Sequence, residues 1–318
     1  MALVPSNSPS ALCAYASDFR GEVWVQFVRT HAEIPVLAVC LYFALVFYAP
    51  ALLAHRPALK LKTPLAAWNL GLAVFSALGA AGTVPHLASA LRAHGFTATV
   101  CRHPQEWYLD GRVGLCVALF ILSKVPELLD TVFLVLQKKP VIFLHWFHHV
   151  TVMLYCWHAF HNRIATGLWF AAMNFSVHAV MYTYYFLMAV GCTRVVRPVA
   201  PVVTTLQILQ MAVGSYVTLH AAAEYYRHGP AACAVDPANF KLGLAMYGAY
   251  MLLFCVLFGR KYLAVGGGGG GGGGEGGGEG GGARETLCGV DVPARYIDAA
   301  GRFASGVVGT GSARPHAE

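Results

Sequence analysis

The chain has 318 residues, of which 57% are hydrophobic and 12% charged, and its formal net charge is +7. A soluble domain carries about 25% charged residues. With a mean hydropathy of +0.56, the composition excludes an ordinary soluble domain and points to an integral membrane protein. The surplus of Lys and Arg is read as basic cytosolic loops. No basic run is interleaved with aromatics, so nucleic acid is not expected as a partner. Nine cysteines in a chain this long do not make a small disulfide scaffold.

Residues 1–33 are mixed, with no basic stretch, short apolar core and small-residue cleavage site in succession, so no cleaved signal peptide is expected. Within them 18–30 is amphipathic, suited to a lumenal or interfacial position. Apolar runs then predict seven helices, each near the ~20 residues a bilayer requires. They cover 34–54, 65–90, 112–136, 141–160, 165–191, 202–223 and 242–258. The second is expected to be interrupted near Gly79, Gly82 and Pro85, and the loop 91–111 to be polar. The fold class is therefore an all-α membrane protein with seven transmembrane helices.

Every second loop is short, basic and free of acids: 55–62, 137–140, 193–198 and 259–261. This bias places the C-terminus in the cytosol and the N-terminus in the lumen. Loops 91–111 and 224–241 then share the lumenal side, which makes Cys101 and Cys233 candidates for a disulfide. Three domains result: the segment 1–33, a helical domain 34–262, and 263–318. Glycines from 266 to 282, broken only by Glu275 and Glu279, make the last a disordered cytosolic tail.

Four spans carry polar stripes. Lys124, Glu127 and Asp130 recur at three-residue steps. His145, His148 and His149 sit at i, i+3 and i+4. Asn174, His178 and Tyr182 follow at four-residue steps, and Thr204, Gln207 and Gln210 at three. Each set shares one helix face. Ionisable groups at membrane depth are costly and mark functional sites. Turning all four stripes inward around one polar chamber leaves the lipid-facing positions apolar. Lys124 with Glu127 and Asp130 also reads as a structural ion pair. Neutral imidazoles suit both nucleophilic catalysis and metal ligation, and spacing does not separate these.

The blocks Lys124-Val-Pro-Glu-Leu-Leu-Asp-Thr131, His145-Trp-Phe-His-His149, Asn174-Phe-Ser-Val-His-Ala-Val-Met-Tyr-Thr-Tyr-Tyr185 and Thr204-Thr-Leu-Gln-Ile-Leu-Gln210 resemble, in order and spacing, the signature of the ELO-type very-long-chain fatty acid elongases. The resemblance covers 34–262. It implies seven helices in the endoplasmic reticulum membrane, six of them around a central acyl tunnel. The implied reaction is the condensation of long-chain acyl-CoA with malonyl-CoA to 3-oxoacyl-CoA, carbon dioxide and CoA. It implies no bound cofactor, metal included; both CoA thioesters are substrates. His148 is implied as the acyl acceptor with His178 opposite it, His145 and His149 as orienting groups, and His178 or Asn174 as enolate stabiliser. Substrate-binding residues are expected among Lys124, Glu127, Asp130, Tyr182, Tyr185, Thr204, Gln207 and Gln210. Lys138, Lys139, Arg260 and Lys261 are expected near the CoA phosphates, or else as topology-setting charge. Trp146-Phe147 and Gly167-Leu168-Trp169-Phe170 look more like members acting on saturated and monounsaturated chains. The expected partners are membrane lipid, a ketoacyl-CoA reductase and the other elongation-cycle enzymes, and a homodimer is compatible with this reading.

The alternative is a di-iron membrane fatty acid desaturase or hydroxylase, which also uses His-x-x-His-His but needs around eight histidines in three clusters. A seven-helix transporter with a histidine proton relay is a third reading.

Overall fold

The computed structural model describes residues 16–263 and two short strands further on. Among the described residues, nine helices of eight residues or more form the body: α1 (Gly21–Thr30), α2 (Glu33–Leu52), α3 (Lys62–Cys101), α4 (Gly111–Ser123), α5 (Leu129–Leu136), α6 (Phe143–His161), α7 (Gly167–Val190), α8 (Ala200–His228) and α9 (Pro237–Phe258). Wide or tight single turns join some of them.

Among the described residues, four helical stretches are long and apolar enough to cross a membrane: Glu33–Leu52, Lys62–Cys101, Thr193–His228 and Pro237–Tyr262. The other three expected spans are helical where predicted, but each is diluted in its own way. The third is broken. α6 carries five histidines, and α7 carries Asn174, His178 and three tyrosines. Leu37, Leu41, Leu78, Leu219 and Leu252 point outward, as lipid-facing side chains do. Cys40 and Cys255 are exposed as well, whereas Cys156 is buried in the core.

Proline and glycine shape the helices differently from expectation. α2 widens into a π turn at Ala44–Tyr48, just before Pro50, whose ring cannot sit in a regular turn. α3 was expected to break near Gly79, Gly82 and Pro85, yet it runs through all three. It kinks instead at Gly95, where φ is +79°, a conformation glycine adopts freely. Gly79 is needed for packing: a Cβ there would lie 2.5 Å from Cζ of Phe175. The expected polar loop 91–111 is thus helical to Cys101. The expected single helix 112–136 is two pieces, α4 and α5, joined through a 3₁₀ turn at Pro126–Leu128. Pro126 removes a backbone donor, and the 3₁₀ turn aligns residues three apart.

The helices run up and down, giving the bundle two ends. At the basic end, the Leu59 N–H donates to Leu136 O at 3.0 Å, and Lys138 Nζ to Ala54 O at 2.8 Å. At the opposite end Cys101 and Cys233 are joined by a disulfide. The Ala234 N–H donates to Cys101 O at 2.8 Å, and the Ala165 N–H to Ala234 O at 3.0 Å. α1 is stitched onto this disulfide end and does more than lie on a surface. The Gly21 N–H donates to Asp110 Oδ1 at 2.8 Å, Trp157 Nε1 donates to Val28 O at 3.0 Å, and Val25 and Val28 are fully buried.

Within the segment expected to be a structureless tail, Arg284–Leu287 pairs antiparallel with Val290–Pro293, Arg284 opposite Pro293. Val290 and Val292 are β-branched residues that favour a strand. The rest of that tail, the glycine run included, lies outside the described residues.

Candidate active site

The three histidines enter from the first turns of α6. Thr131, on α5, accepts or donates at His145 Nε2 over 2.8 Å, and Tyr42 of α2 meets Thr131 Oγ1 at 2.8 Å. The His145 and His149 rings lie 4.5 Å apart between centroids, and those of His148 and His149 5.5 Å apart. On the far side, the Tyr250 ring of α9 lies tilted against His148 at 5.0 Å between centroids, and its hydroxyl donates to the His148 carbonyl at 3.2 Å. Thr151 Oγ1 lies 2.5 Å from the same phenol and donates to Phe147 O at 2.6 Å. The histidine turn is therefore clamped from both sides.

The row Lys124, Glu127, Asp130 splits in two. Lys124 Nζ reaches both Glu127 oxygens, at 2.8 and 2.9 Å, and donates to Asn174 Oδ1 at 3.3 Å. Ser123 Oγ adds a donor to Glu127 at 2.7 Å. Both charges are buried, Lys124 at 3% and Glu127 at 4% exposure. A charge so placed is tolerable only when paired and hydrogen-bonded, and here each carboxylate oxygen has a donor. Lys124 also lies 4.3 Å over the Phe120 ring. Asp130 instead accepts from Trp68 Nε1 at 2.6 Å and Tyr182 Oη at 2.8 Å. The break at Pro126 lets one short stretch serve two neighbours.

α7 contributes Asn174, His178 and Tyr182 from one face, all buried. The His178 ring is 5.3 Å from Tyr182, and Tyr185 stacks edge-on to Tyr182 at 6.3 Å. His148 lies within electrostatic range of both His178 and Lys124. Three of the four stripes thus meet at one place: a nucleophile candidate on α6, a second imidazole on α7, and a paired ammonium at the end of α4.

The fourth stripe makes other contacts. Thr204 Oγ1 donates to Ala200 O of its own helix at 3.1 Å, Gln207 Nε2 reaches Met181 Sδ at 3.2 Å, and Gln210 is buried. Lys138, Lys139, Arg260 and Lys261 all lie at the basic end; Lys138 is engaged with Ala54, and Lys261 lies 5.1 Å over Tyr262. Sequence reasoning missed Tyr42, Trp68, Ser123, Thr151 and Tyr250. Tyr42 and Tyr250 lie in apolar runs where no stripe marks them, whereas Ser123 beside Lys124 and Thr151 three residues after His148 stand next to or on stripes already marked.

His158, further along α6, faces Asn239 Nδ2 at 2.9 Å and Asn162, away from the triad. Among the described residues, no three of His, Cys, Asp and Glu come together in an arrangement suited to a metal ion. The di-iron alternative therefore gains no support from the geometry. A cavity of about 150 Å³ lies elsewhere, between the kinked end of α3 and Trp107, lined by His86, His94 and Arg102 among others.

An all-helical membrane protein with a buried polar centre of histidines, lysine, glutamate and asparagine is the class these features define. The profile of the ELO: GNS1/SUR4 family matches residues 27–267, and the chain belongs to that family. It is 45% identical over 273 residues to fatty acid elongase 3 of Trypanosoma cruzi, covering 79% of this chain and 91% of that protein. It is 43% identical over 274 residues to fatty acid elongase 3 of Trypanosoma brucei brucei, with 79% and 91% covered. To very long chain fatty acid elongase 6 of Drosophila melanogaster it is 40% identical over 227 residues, 71% of each chain.

Proposed function

We propose that this protein catalyses the condensing step of fatty acid elongation, joining long-chain acyl-CoA and malonyl-CoA into 3-oxoacyl-CoA with release of carbon dioxide and CoA. The observation that carries this reading, beside family membership, is the meeting of His148, His178 and the Lys124–Glu127–Asn174 cluster inside an apolar bundle. No cofactor is needed for the chemistry these groups offer.

His148 attacks the thioester carbon; the C–N bond forms, the C–S bond breaks, and CoA leaves with a proton. Malonyl-CoA then loses carbon dioxide, and the enolate carbon attacks the acyl carbon. A C–C bond forms as the C–N bond to His148 breaks. One proton is taken up overall. Splitting the condensation in two is what a nucleophile provides. His178 and Asn174 supply the neutral dipoles that favour the enolate oxygen, and an apolar surround keeps water from the acyl-imidazole.

In this reading α4 with α5, α6 and α7 also cross the bilayer, giving seven spans, with six around an acyl tunnel leading from His148 towards the disulfide end. The basic end is cytosolic. There Lys138, Lys139, Arg260 and Lys261 meet the CoA phosphates. The disulfide then sits in an oxidising lumen, as expected for the endoplasmic reticulum, and the C-terminus is cytosolic. Saturated and monounsaturated chains are favoured, and the reductase of the next step is the expected partner.

The test is microsomal expression with radiolabelled malonyl-CoA and a panel of acyl-CoAs, alongside His148→Ala. The wild type is expected to yield labelled 3-oxoacyl-CoA and a trappable acyl-protein, and the variant neither. Full turnover by the variant would remove His148 from the mechanism.

A further inference from the structure

The hydroxyl of Thr131 has one proton and two close neighbours, Tyr42 Oη and His145 Nε2, each at 2.8 Å. Tyr42 is 2% exposed and Thr131 0%, so neither group has bulk water to fall back on. Were Thr131 to donate to Tyr42, the phenolic O–H would need another acceptor. Among the described residues, Thr131 is the partner found for that phenol. A buried donor left without an acceptor carries the full desolvation cost of the group. The bonds therefore run from Tyr42 to Thr131 and from Thr131 to His145. His145 Nε2 is the acceptor, which leaves the imidazole proton on Nδ1.

We propose that Tyr42 and Thr131 are positioning residues that hold His145 in its Nδ1–H tautomer, its ring fixed against His149. The inference deepens the condensing-enzyme reading and rests on it. His145 lies 4.5 Å from His149, which lies 5.5 Å from His148, so the three rings pack as one unit. A ring whose Nε2 lone pair already accepts a hydrogen bond cannot flip without breaking that bond. Fixing the outermost ring thus restricts the two behind it, and His148 keeps one nitrogen lone pair directed at the thioester. A held tautomer is how an orienting group serves a catalytic imidazole. Tyr42 stands on α2, outside all four sequence blocks, and reaches the site only through Thr131.

Thr131→Val keeps the shape and removes the hydroxyl; Thr131→Ser keeps the hydroxyl; Tyr42→Phe removes the first donor. Thr131→Val and Tyr42→Phe are expected to lower kcat about tenfold or more, with KM for acyl-CoA unchanged. Thr131→Ser should recover most of the loss. In purified protein with ¹⁵N-labelled histidine, the His145 signals, assigned through His145→Gln, should show Nδ1 protonated, and a tautomer mixture in Thr131→Val. Wild-type kcat in Thr131→Val, no recovery in Thr131→Ser, or a proton on His145 Nε2 would each overturn the proposal. A wild type that makes no 3-oxoacyl-CoA would instead sink the condensing-enzyme reading, and the ¹⁵N measurement would still judge the relay.

Discussion

α6 passes through two regions that handle polarity in opposite ways. In its first turns, around His148, the polar groups are side chains from distant helices that satisfy one another: Tyr42 with Thr131 and His145, Lys124 with Glu127 and Asn174, Asp130 with Trp68 and Tyr182. At its other end, the bonds run mainly to backbone. Trp157 donates to Val28 O, Arg29 to His161 O at 3.2 Å, Tyr108 to Ile164 O at 2.5 Å, and a disulfide ties the flanking segments. Burial pushes the Tyr108 phenol up from its ordinary pKa, so it remains a donor there. Backbone-directed bonds hold chain segments in place whatever the chemistry. Side-chain networks set inside an apolar bundle are costly to build. The one around His148 joins charged and imidazole groups, whereas the smaller one of His158, Asn239 and Tyr155 at the other end joins neutral amide, imidazole and phenol groups. The first region should govern turnover and the second stability.

The sharpest way to break that contrast is to make the same change in both places. His148→Ala should abolish 3-oxoacyl-CoA formation in folded protein. His86→Ala, which removes a ring bonded to Trp107 O at 2.8 Å, should leave kcat intact and cost about 1 kcal/mol. Next come the ion pairs. Lys124→Met strands a buried carboxylate, at about 3–5 kcal/mol, and should lower both Tm and turnover. Arg163→Met removes an ion pair to Glu22 in which both side chains stay partly exposed, 23% and 41%. Such pairs are worth at most about 1 kcal/mol. Unfolding of both variants by intrinsic fluorescence in detergent checks the difference.

Opening the disulfide should lower stability and leave turnover alone. Cys101→Ala with Cys233→Ala is expected to lose about 2–5 kcal/mol, seen as a lower Tm. Turnover per folded molecule should not change, since the contacts of His145 and His148 with Thr131 and Tyr250 lie at the other end of α6. A fall in kcat at a temperature where the double variant is fully folded would mean that the two regions are coupled.

The same division explains what the sequence discloses. The helices and the three stripes that meet are legible because apolar runs and helical periodicity mark them, and because charged or imidazole side chains stand out in apolar runs. Helix boundaries were less so. Gly79, Gly82 and Pro85 look like breakers, but whether a glycine bends a helix or admits the Phe175 ring depends on the neighbour, which lies 96 residues away along the chain. Pro126 was visible, yet the division of labour it creates between Glu127 and Asp130 appears only once Trp68 and Tyr182 are brought alongside. The clamps, Tyr42 and Tyr250, are single residues on the first and last spans. Nothing local distinguishes them from the lipid-exposed Tyr48 or Tyr216.

The finest test removes one oxygen atom from each region. Tyr250→Phe keeps the ring on His148 and loses the donor to the His148 carbonyl together with the hydroxyl contact to Thr151. Tyr108→Phe keeps its ring and loses the donor to Ile164 O. Both phenols are buried, at 1% and 4% exposure, so the stability losses should be similar, about 1–2 kcal/mol each. Turnover should separate them. Without its hydroxyl anchor, the His148 turn gains freedom, and a misplaced nucleophile reacts more slowly even when substrate binds as before. kcat should therefore fall several-fold in Tyr250→Phe, roughly what about 1 kcal/mol of lost positioning implies, and stay at the wild-type value in Tyr108→Phe. Equal kcat in both variants would show that the α9 clamp only braces the bundle, leaving the orientation of His148 to the α2 side alone.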